Sequence, residues 1–280
     1  MPPESLQPVH ERKTALSYEK RLPEAQEVRV VDFFCGCGGM SAGFASTRQS
    51  HLKFRILAGI DIDARALATY SHNIPAPALQ EDIRDLAADP QRLLELVPGL
   101  EEDDTPLVFI GCPPCQGFSA HRKKDARVDP RNDLISSFAQ LCEHFLPDAI
   151  VMENVPEVIR GRHSHHFGEA TDRLRQAGYS IDPRILDFSE YGLPQRRRRA
   201  VAIGARQEIK LPRPPAVFVD APMTVREAIS HLRPVEAGGE AADDPWHRAP
   251  AHTERILKRI EATPPDGGDR RSLSSAEQLT

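Results

Sequence analysis

The stretch VRVVDFFCGCGGMSAGF, Val28–Phe44, decides the fold. Val28–Phe34 is an almost unbroken apolar run, the pattern of a strand buried on both faces of a parallel sheet. CGCGG follows at Cys35–Gly39, where glycines permit a tight turn and close approach of a ligand to the backbone. Met40–Thr47 then opens a helix, whose first N–H groups lack partners inside the helix and suit an anionic or polar ligand.

The same unit recurs outward from this stretch. Phe54–Ile60 reads as a second strand ending at Asp61, and Ala64–Ser71 as the next helix. Asp82 falls in a short third element of the same kind. Leu107–Gly111 is a strand that runs into CPPCQGFS. Asp133–Phe145 has helical spacing, with Leu134, Phe138, Leu141 and Phe145 on one face. Ala149–Val155 is a strand, and Glu169–Ala177 a helix closed by Gly178. Tyr179–Phe188 and Arg199–Ala205 are two further strands, close enough in sequence to make an antiparallel edge. The alternation predicts an α/β fold, a mostly parallel sheet with helices on both faces.

Three regions are expected: a polar arm over 1–27, an α/β domain over 28–206, and, over 207–280, a linker followed by an incomplete small domain. Pro212, Pro214, Pro215 and Pro222 mark the linker, and short helices are expected at Thr224–Leu232 and Thr253–Ile260. The chain has 280 residues, of which 40% are hydrophobic and 28% charged, an ordinary globular composition. No apolar run is long enough for a membrane span, and the start does not resemble a secretory leader, so the expected location is cytoplasmic. Five cysteines are too few for a disulfide scaffold. A formal net charge of −5 does not advertise a nucleic-acid binder, although a basic cleft can coexist with an acidic rear surface.

The chemistry-bearing residues gather at strand ends: Asp32 with the glycine turn, Asp61, Cys115 and Glu153. In open α/β sheets, ligands sit beyond the carboxyl ends of the strands. Gly36 and Gly38 fit a dinucleotide fingerprint, but Ser41 stands where its third glycine belongs, which favours another adenosine-bearing ligand. Asp61 suits ribose hydroxyls, or is a strand-end turn residue. Cys112 and Cys115 are open to three readings: a redox dithiol, half of a zinc site with Cys35 and Cys37, or one nucleophile at Cys115 aimed by the two prolines before it. Glu153, ending an apolar strand, suits a proton donor or an ordinary turn carboxylate. Of Arg196–Arg199, alternation places Arg197 and Arg199 on one side, able to hold phosphate or a carboxylate, or to form a solvated basic face. The basic run His121, Arg122, Lys123, Lys124 and Arg127 suits a polyanion. His163, His165 and His166 lie in a polar loop with no matching metal-ligand spacing. Cys142 reads as a core thiol, and Trp246 as a packing anchor or a base-stacking ring.

Taken in order, VVDFFCGCGG, Asp61, GCPPCQGFS, MENVP and PQRRRR resemble the motifs of the C5-cytosine DNA methyltransferase family over roughly residues 28–206. The resemblance implies an S-adenosylmethionine-dependent, Rossmann-like methyltransferase that acts on double-stranded DNA, of the kind found in restriction-modification. It implies cofactor contacts from Phe34, Gly36, Gly38, Gly39, Asp61, Ile62, Asp82 and Ile83, with Asp61 on the ribose and Asp82 on the adenine amino group. It implies Cys115 as nucleophile on a turn with Pro114, Glu153 on the N3 edge of a flipped cytosine, and Arg197 and Arg199 supporting the pocket. Gln116, Ser119, Arg122, Lys123 and Lys124 would face DNA, and no metal is implied. The family's target-recognition region and late motifs are not found after Ala205, and TVREAISHL, Thr224–Leu232, reads as the start of the variable region. The expectation is therefore a chain completed by a complementary subunit, a truncated product, or a silent cofactor- or DNA-binding remnant. An RNA cytosine methyltransferase shares the chemistry. Alone, the polypeptide is expected to methylate DNA weakly or not at all.

Overall fold

A computed structural model describes residues 26–47, 52–102, 105–114, 133–161, 164–206, 215–264 and 268–275. These form two compact units, one of 1–188 with 197–216 and the other of 189–196 with 217–280.

The first unit is built on a seven-stranded sheet of order β3-β2-β1-β4-β5-β7-β6. Strands β1 (Gln26–Phe33), β2 (Leu52–Asp61), β3 (Ala78–Gln80), β4 (Leu107–Gly111) and β5 (Ala149–Asn154) are parallel. The chain builds outward through β2 and β3, then returns to place β4 on the other side of β1. The carboxyl ends of β1 and β4 therefore flank the topological switch, where this architecture opens a crevice. Strand β7 (Arg198–Ala205) lies antiparallel to both neighbours, β5 and β6 (Ser180–Asp187). The expected antiparallel edge is thus modified: β7 inserts into the sheet and β6 takes the edge. Pro183 in β6 is tolerated there because an edge strand can lose a ladder donor.

The apolar run in β1 is buried as expected, with Val30, Val31 and Phe33 at 0% exposure. Phe33 packs edge-on against Phe109 of β4 at 5.0 Å and Phe138 at 5.6 Å between ring centroids. Phe138 lies on α5 (Asp133–Phe145), and its fellow residues Leu134, Leu141 and Cys142 are buried with it. That face follows the spacing read from the sequence. Arg29, buried in β1, donates its guanidinium to the backbone carbonyls of Gly99, Leu100 and Thr105. This satisfies a charge that a buried strand cannot otherwise carry.

Helices α1 (Gly39–Ser46), α2 (Ala64–Asn73) and α6 (Glu157–Arg160) leave the carboxyl ends of β1, β2 and β5. Between β3 and β4 lie α3 (Ile83–Ala88) and α4 (Pro90–Leu96), which hydrophobic spacing over so few residues did not define. Asp82 is not inside the third strand but caps α3. Helix α7 (Ser164–Gln176) begins five residues before the expected Glu169, so His165 and His166 stand on a helix and not in a loop. His163 lies outside the described residues.

The second unit contains α8 (Val225–Ile229), a hairpin of β8 (Glu240–Ala241) and β9 (Asp244–Arg248), and α9 (Glu254–Ala262). A reciprocal capping box between Thr224 and Glu227 starts α8. Trp246, on β9, is 86% exposed, which overturns its reading as a packing anchor. No helix among the described residues is long and apolar enough to cross a membrane.

Candidate active site

Where β1 ends, Phe34 takes a left-handed backbone (φ 58°), and Gly36 and Gly38 follow at φ 53° and 93°. Three positive φ angles in five residues turn the chain sharply from strand into α1. A side chain at Gly36 or Gly39 would meet no atom within 4 Å, so these two glycines border open space. Gly38 is closely packed: a Cβ there would stand 2.8 Å from Ile74 and 2.9 Å from the Tyr70 ring. Its assignment as a cofactor contact thus falls on a residue backed against α2. The turn is latched to β2, with the Gly36 N–H donating to Asp61 Oδ2 at 2.9 Å and the Cys35 N–H donating to the Ile60 carbonyl at 3.1 Å. Asp61 Oδ1 also accepts from the Asp63 N–H at 2.9 Å. Asp61 therefore holds the glycine turn and the exit of β2 together, beside Ile62, whose side chain is 65% exposed.

Asp82 accepts the Arg84 N–H at 2.9 Å, and its carboxylate is gripped by the Arg84 guanidinium. Arg84 holds its carboxyl below the usual carboxylate range. A contact from Asp82 to an adenine amino group has to share or displace Arg84. The Ile83 side chain packs into the core at 4% exposure, so the expected contact there falls to its backbone.

Beneath the turn lies a buried polar group around Asp32, which the sequence placed with the glycine turn but to which it gave no contact. Asp32 Oδ2 accepts from Ser41 Oγ at 2.6 Å and from the Ser41 N–H at 3.2 Å, and Ser41 Oγ lies 3.1 Å from the Tyr70 hydroxyl. Asp32 is 1% exposed, and its Oδ1 has no hydrogen-bond partner among the described residues. Burial pushes the Asp32 carboxyl up to about 7, against the opposing pull of the Ser41 hydrogen bonds. The folded chain so keeps a proton that the unfolded chain has released. The stability this provides falls as pH rises from the ordinary carboxylate range to about 7, and levels off above. The sequence carried the signal: an Asp within the otherwise apolar VVDFF has to find a partner or keep a proton.

The exit of β4 is fastened on both sides. The Cys112 N–H donates to the carbonyl of Phe33 at 3.3 Å, and Asn154 Nδ2 donates to the Pro113 carbonyl at 3.0 Å. Asn154, 4% exposed, also accepts the Val155 N–H at 2.8 Å. The segment leading through Pro114 is thereby brought beside the glycine turn and the end of β5. Burial, with the Glu153 charge adding to it, pushes the Cys112 thiol up to about 12, so Cys112 is a protonated thiol at neutral pH. Cys115 follows Pro114 directly in sequence; it and Gln116, Ser119, His121, Arg122, Lys123, Lys124 and Arg127 lie outside the described residues.

Glu153 closes the far side. Its Oε1 lies 3.0 Å from Arg199 Nε and 3.8 Å from Arg197 Nη2. Val201 is the register partner of Glu153, so Arg199, two residues earlier, shares its face and Arg197 follows. Arg196 and Arg198 are exposed. Alternation thus divided the four arginines as the sequence predicted. Phe34, Gly36, Asp61, Pro114, Glu153, Arg197 and Arg199 all belong to the first unit, at the carboxyl ends of its strands or, for the two arginines, at the β7 end beside β5.

The latch at Asp61 yields a direct test. Asp61→Ala leaves the Gly36 N–H without its acceptor, and S-adenosylhomocysteine should bind at least about tenfold more weakly by calorimetry. Unchanged affinity would detach Asp61 from the ligand site.

A family model for C-5 cytosine-specific DNA methylases matches residues 28–261, reaching well past the motifs that end near Ala205. The Type II methylase M.HgiDII of Herpetosiphon aurantiacus is 32% identical over 85% of this chain and 64% of its own length. The Type II methyltransferase M1.HphI of Haemophilus parahaemolyticus is 31% identical, over 91% of this chain and 65% of its own. The chain thus spans somewhat less than two thirds of the length of these curated relatives. Among solved structures, a DNA modification methyltransferase encoded within an E. coli prophage superposes with a TM-score of 0.61 and 28% identity, covering 88% of this chain and 67% of that one. With the strand order, the glycine turn at the sheet's switch point and the Glu153–Arg199 pair in place, the chain belongs to the C-5 cytosine-specific DNA methylase family.

Proposed function

We propose that this protein transfers a methyl group from S-adenosylmethionine to C5 of a flipped cytosine in double-stranded DNA, through a covalent bond between Cys115 and C6. The observation that carries the reading is the fastening of the β4 exit between Phe33 and Asn154. It holds Cys112 and Pro113, which lead through Pro114 to Cys115, between the end of β1 and the end of β5.

The residues present fit S-adenosylmethionine. Gly36 and Gly39 border open space at a strand-to-helix turn, Asp61 offers a carboxylate at the β2 exit, and Ile62 offers exposed apolar surface beside it. When bound, the cofactor supplies an electrophilic methyl group on a sulfonium. Phe34, Gly36, Gly39, Asp61 and Ile62 would hold it, with Asp82 joining once Arg84 yields.

Cytosine C5 is a weak nucleophile. Addition of the Cys115 thiolate at C6 makes C5 enamine-like, the usual logic of covalent catalysis. Glu153 grips N3 and stabilises the adduct, while Arg199 and Arg197 orient its carboxylate. Loss of the C5 proton and departure of the Cys115 sulfur restore the ring. The target carbon is inaccessible within a duplex, so the base has to leave the stack. Gln116, Ser119, Arg122, Lys123 and Lys124 are proposed to face the DNA. Turnover is proposed to need further residues of the kind the longer relatives carry, in the same polypeptide or in a complementary one.

Methyl transfer decides the matter. Duplex DNA and a matched RNA are incubated with labelled S-adenosylmethionine and the chain, alone and supplemented with a polypeptide carrying the family's later motifs. The expected product is 5-methylcytosine in DNA from the supplemented mixture. Methylation of RNA only, or of neither, would contradict the reading.

A further inference from the structure

We propose that Asp32, Ser41 and Tyr70 form a proton-sensitive strut that sets the glycine turn, making them positioning residues for S-adenosylmethionine that act from beneath it. The inference rests on the cofactor reading above.

All three side chains are inside the protein: Asp32 is 1% exposed, Ser41 and Tyr70 0%. They act on a ligand through the turn they support. Tyr70, on α2, has its ring under two glycines. A Cβ at Gly38 would stand 2.9 Å from that ring, and one at Gly59 would stand 2.3 Å from it. The turn therefore rests on the Tyr70 ring at Gly38. The Tyr70 hydroxyl reaches Ser41 Oγ, and both Ser41 donors converge on one oxygen of Asp32. Ser41 lies in the first turn of α1, two residues after Gly39, so this bond fixes where the helix starts.

The strut has a built-in weakness. Asp32 Oδ1 is buried without a partner among the described residues. Ionised, Asp32 gives Ser41 two charge-assisted hydrogen bonds, roughly twice as strong as neutral ones, but leaves Oδ1 charged and dry. Protonated, it relieves Oδ1 and loosens Ser41. The other titratable groups near Asp32 are Cys35 after β1, Asp61 at the β2 exit, Tyr70 on α2 and Cys112 after β4, all either neutral at physiological pH or acidic. Among the described residues none of these is a cation, and the Ser41 hydrogen bonds are what favours the ionised form against burial. Loading the turn favours the taut, ionised form.

The test is the pH dependence of S-adenosylhomocysteine affinity by calorimetry on the whole chain. For the unaltered protein, binding should be about tenfold tighter near about pH 8 than near about pH 6. Asp32→Asn, which copies the protonated carboxyl in shape, should bind at the weaker level with no slope. Ser41→Ala and Tyr70→Phe keep the packing and should each weaken binding about fivefold. Carbon NMR of the aspartate carboxyls supplies a readout without any substitution: one carboxyl should titrate above the usual range and shift to lower pH when ligand is added. A flat profile in the unaltered protein, a slope kept in Asp32→Asn, or unmoved affinity in Ser41→Ala would overturn the strut alone. Failure of the unaltered protein to bind S-adenosylhomocysteine at any pH would overturn the cofactor reading, and the strut with it.

Discussion

Glu153→Gln should lower kcat for DNA methylation by about 10²- to 10⁴-fold while leaving S-adenosylhomocysteine affinity within about twofold. The substitution keeps the size and shape of the side chain and removes its charge and its proton. Glu153 stands at the end of β5, on the far side of the fastened β4 exit from the glycine turn, so the residues proposed to hold the cofactor are untouched. On the proposed mechanism the variant lacks the acid at N3, and it lacks the carboxylate that pairs with Arg199 and Arg197. The split between kcat and affinity separates this from a folding defect, which would move both. Near-normal turnover in the glutamine variant would remove Glu153 from the reaction.

Gly59→Ala should destabilise the first unit by about 3 kcal/mol, a fall in Tm of about 10 °C by calorimetric scanning. Gly59 is in β2, paired with both β1 and β3, where the backbone cannot retreat. A methyl group there would meet the Tyr70 ring at 2.3 Å, and the ring is wholly buried. Moving the ring also breaks its hydroxyl contact with Ser41. The companion substitution Tyr70→Leu in the same background should recover part of the loss by making room. A Gly59→Ala protein as stable as the parent would mean that the Tyr70 ring is not packed as described.

Much of this was legible because parallel strands announce themselves. Val28–Phe34, Leu107–Gly111 and Ala149–Val155 are short, mainly apolar runs that end in a cysteine–glycine or proline turn, and each became a strand with its candidate site residues near the carboxyl end. The division of the four arginines followed from the two-residue period of a strand. What escaped the sequence depended on partners distant along the chain. The insertion of β7 beside β5 is a matter of long-range pairing, which hydrophobic spacing does not encode. The capping role of Asp82 and its grip by Arg84 are local, yet hidden because α3 is only six residues long. The support under the turn was least visible of all. Ser41 reads as a defect in a glycine fingerprint until Tyr70, 29 residues on, is seen to reach its hydroxyl. The packing of Gly38 against Tyr70 and Ile74 also rests on residues more than thirty positions on. The exposure of Trp246 likewise follows from a two-stranded hairpin that no apolar pattern foretold.

The most direct test of the account is covalent capture on duplex DNA in which the target cytosine is replaced by 5-fluorocytosine, so that the final proton loss is blocked. With S-adenosylmethionine and the complementing polypeptide present, a denaturant-stable protein–DNA species should form, and peptide mass spectrometry should place the bond on the Cys115 sulfur. Cys115→Ser should form none. A captured species that persists in Cys115→Ser, or a bond located on Cys112, would contradict the account.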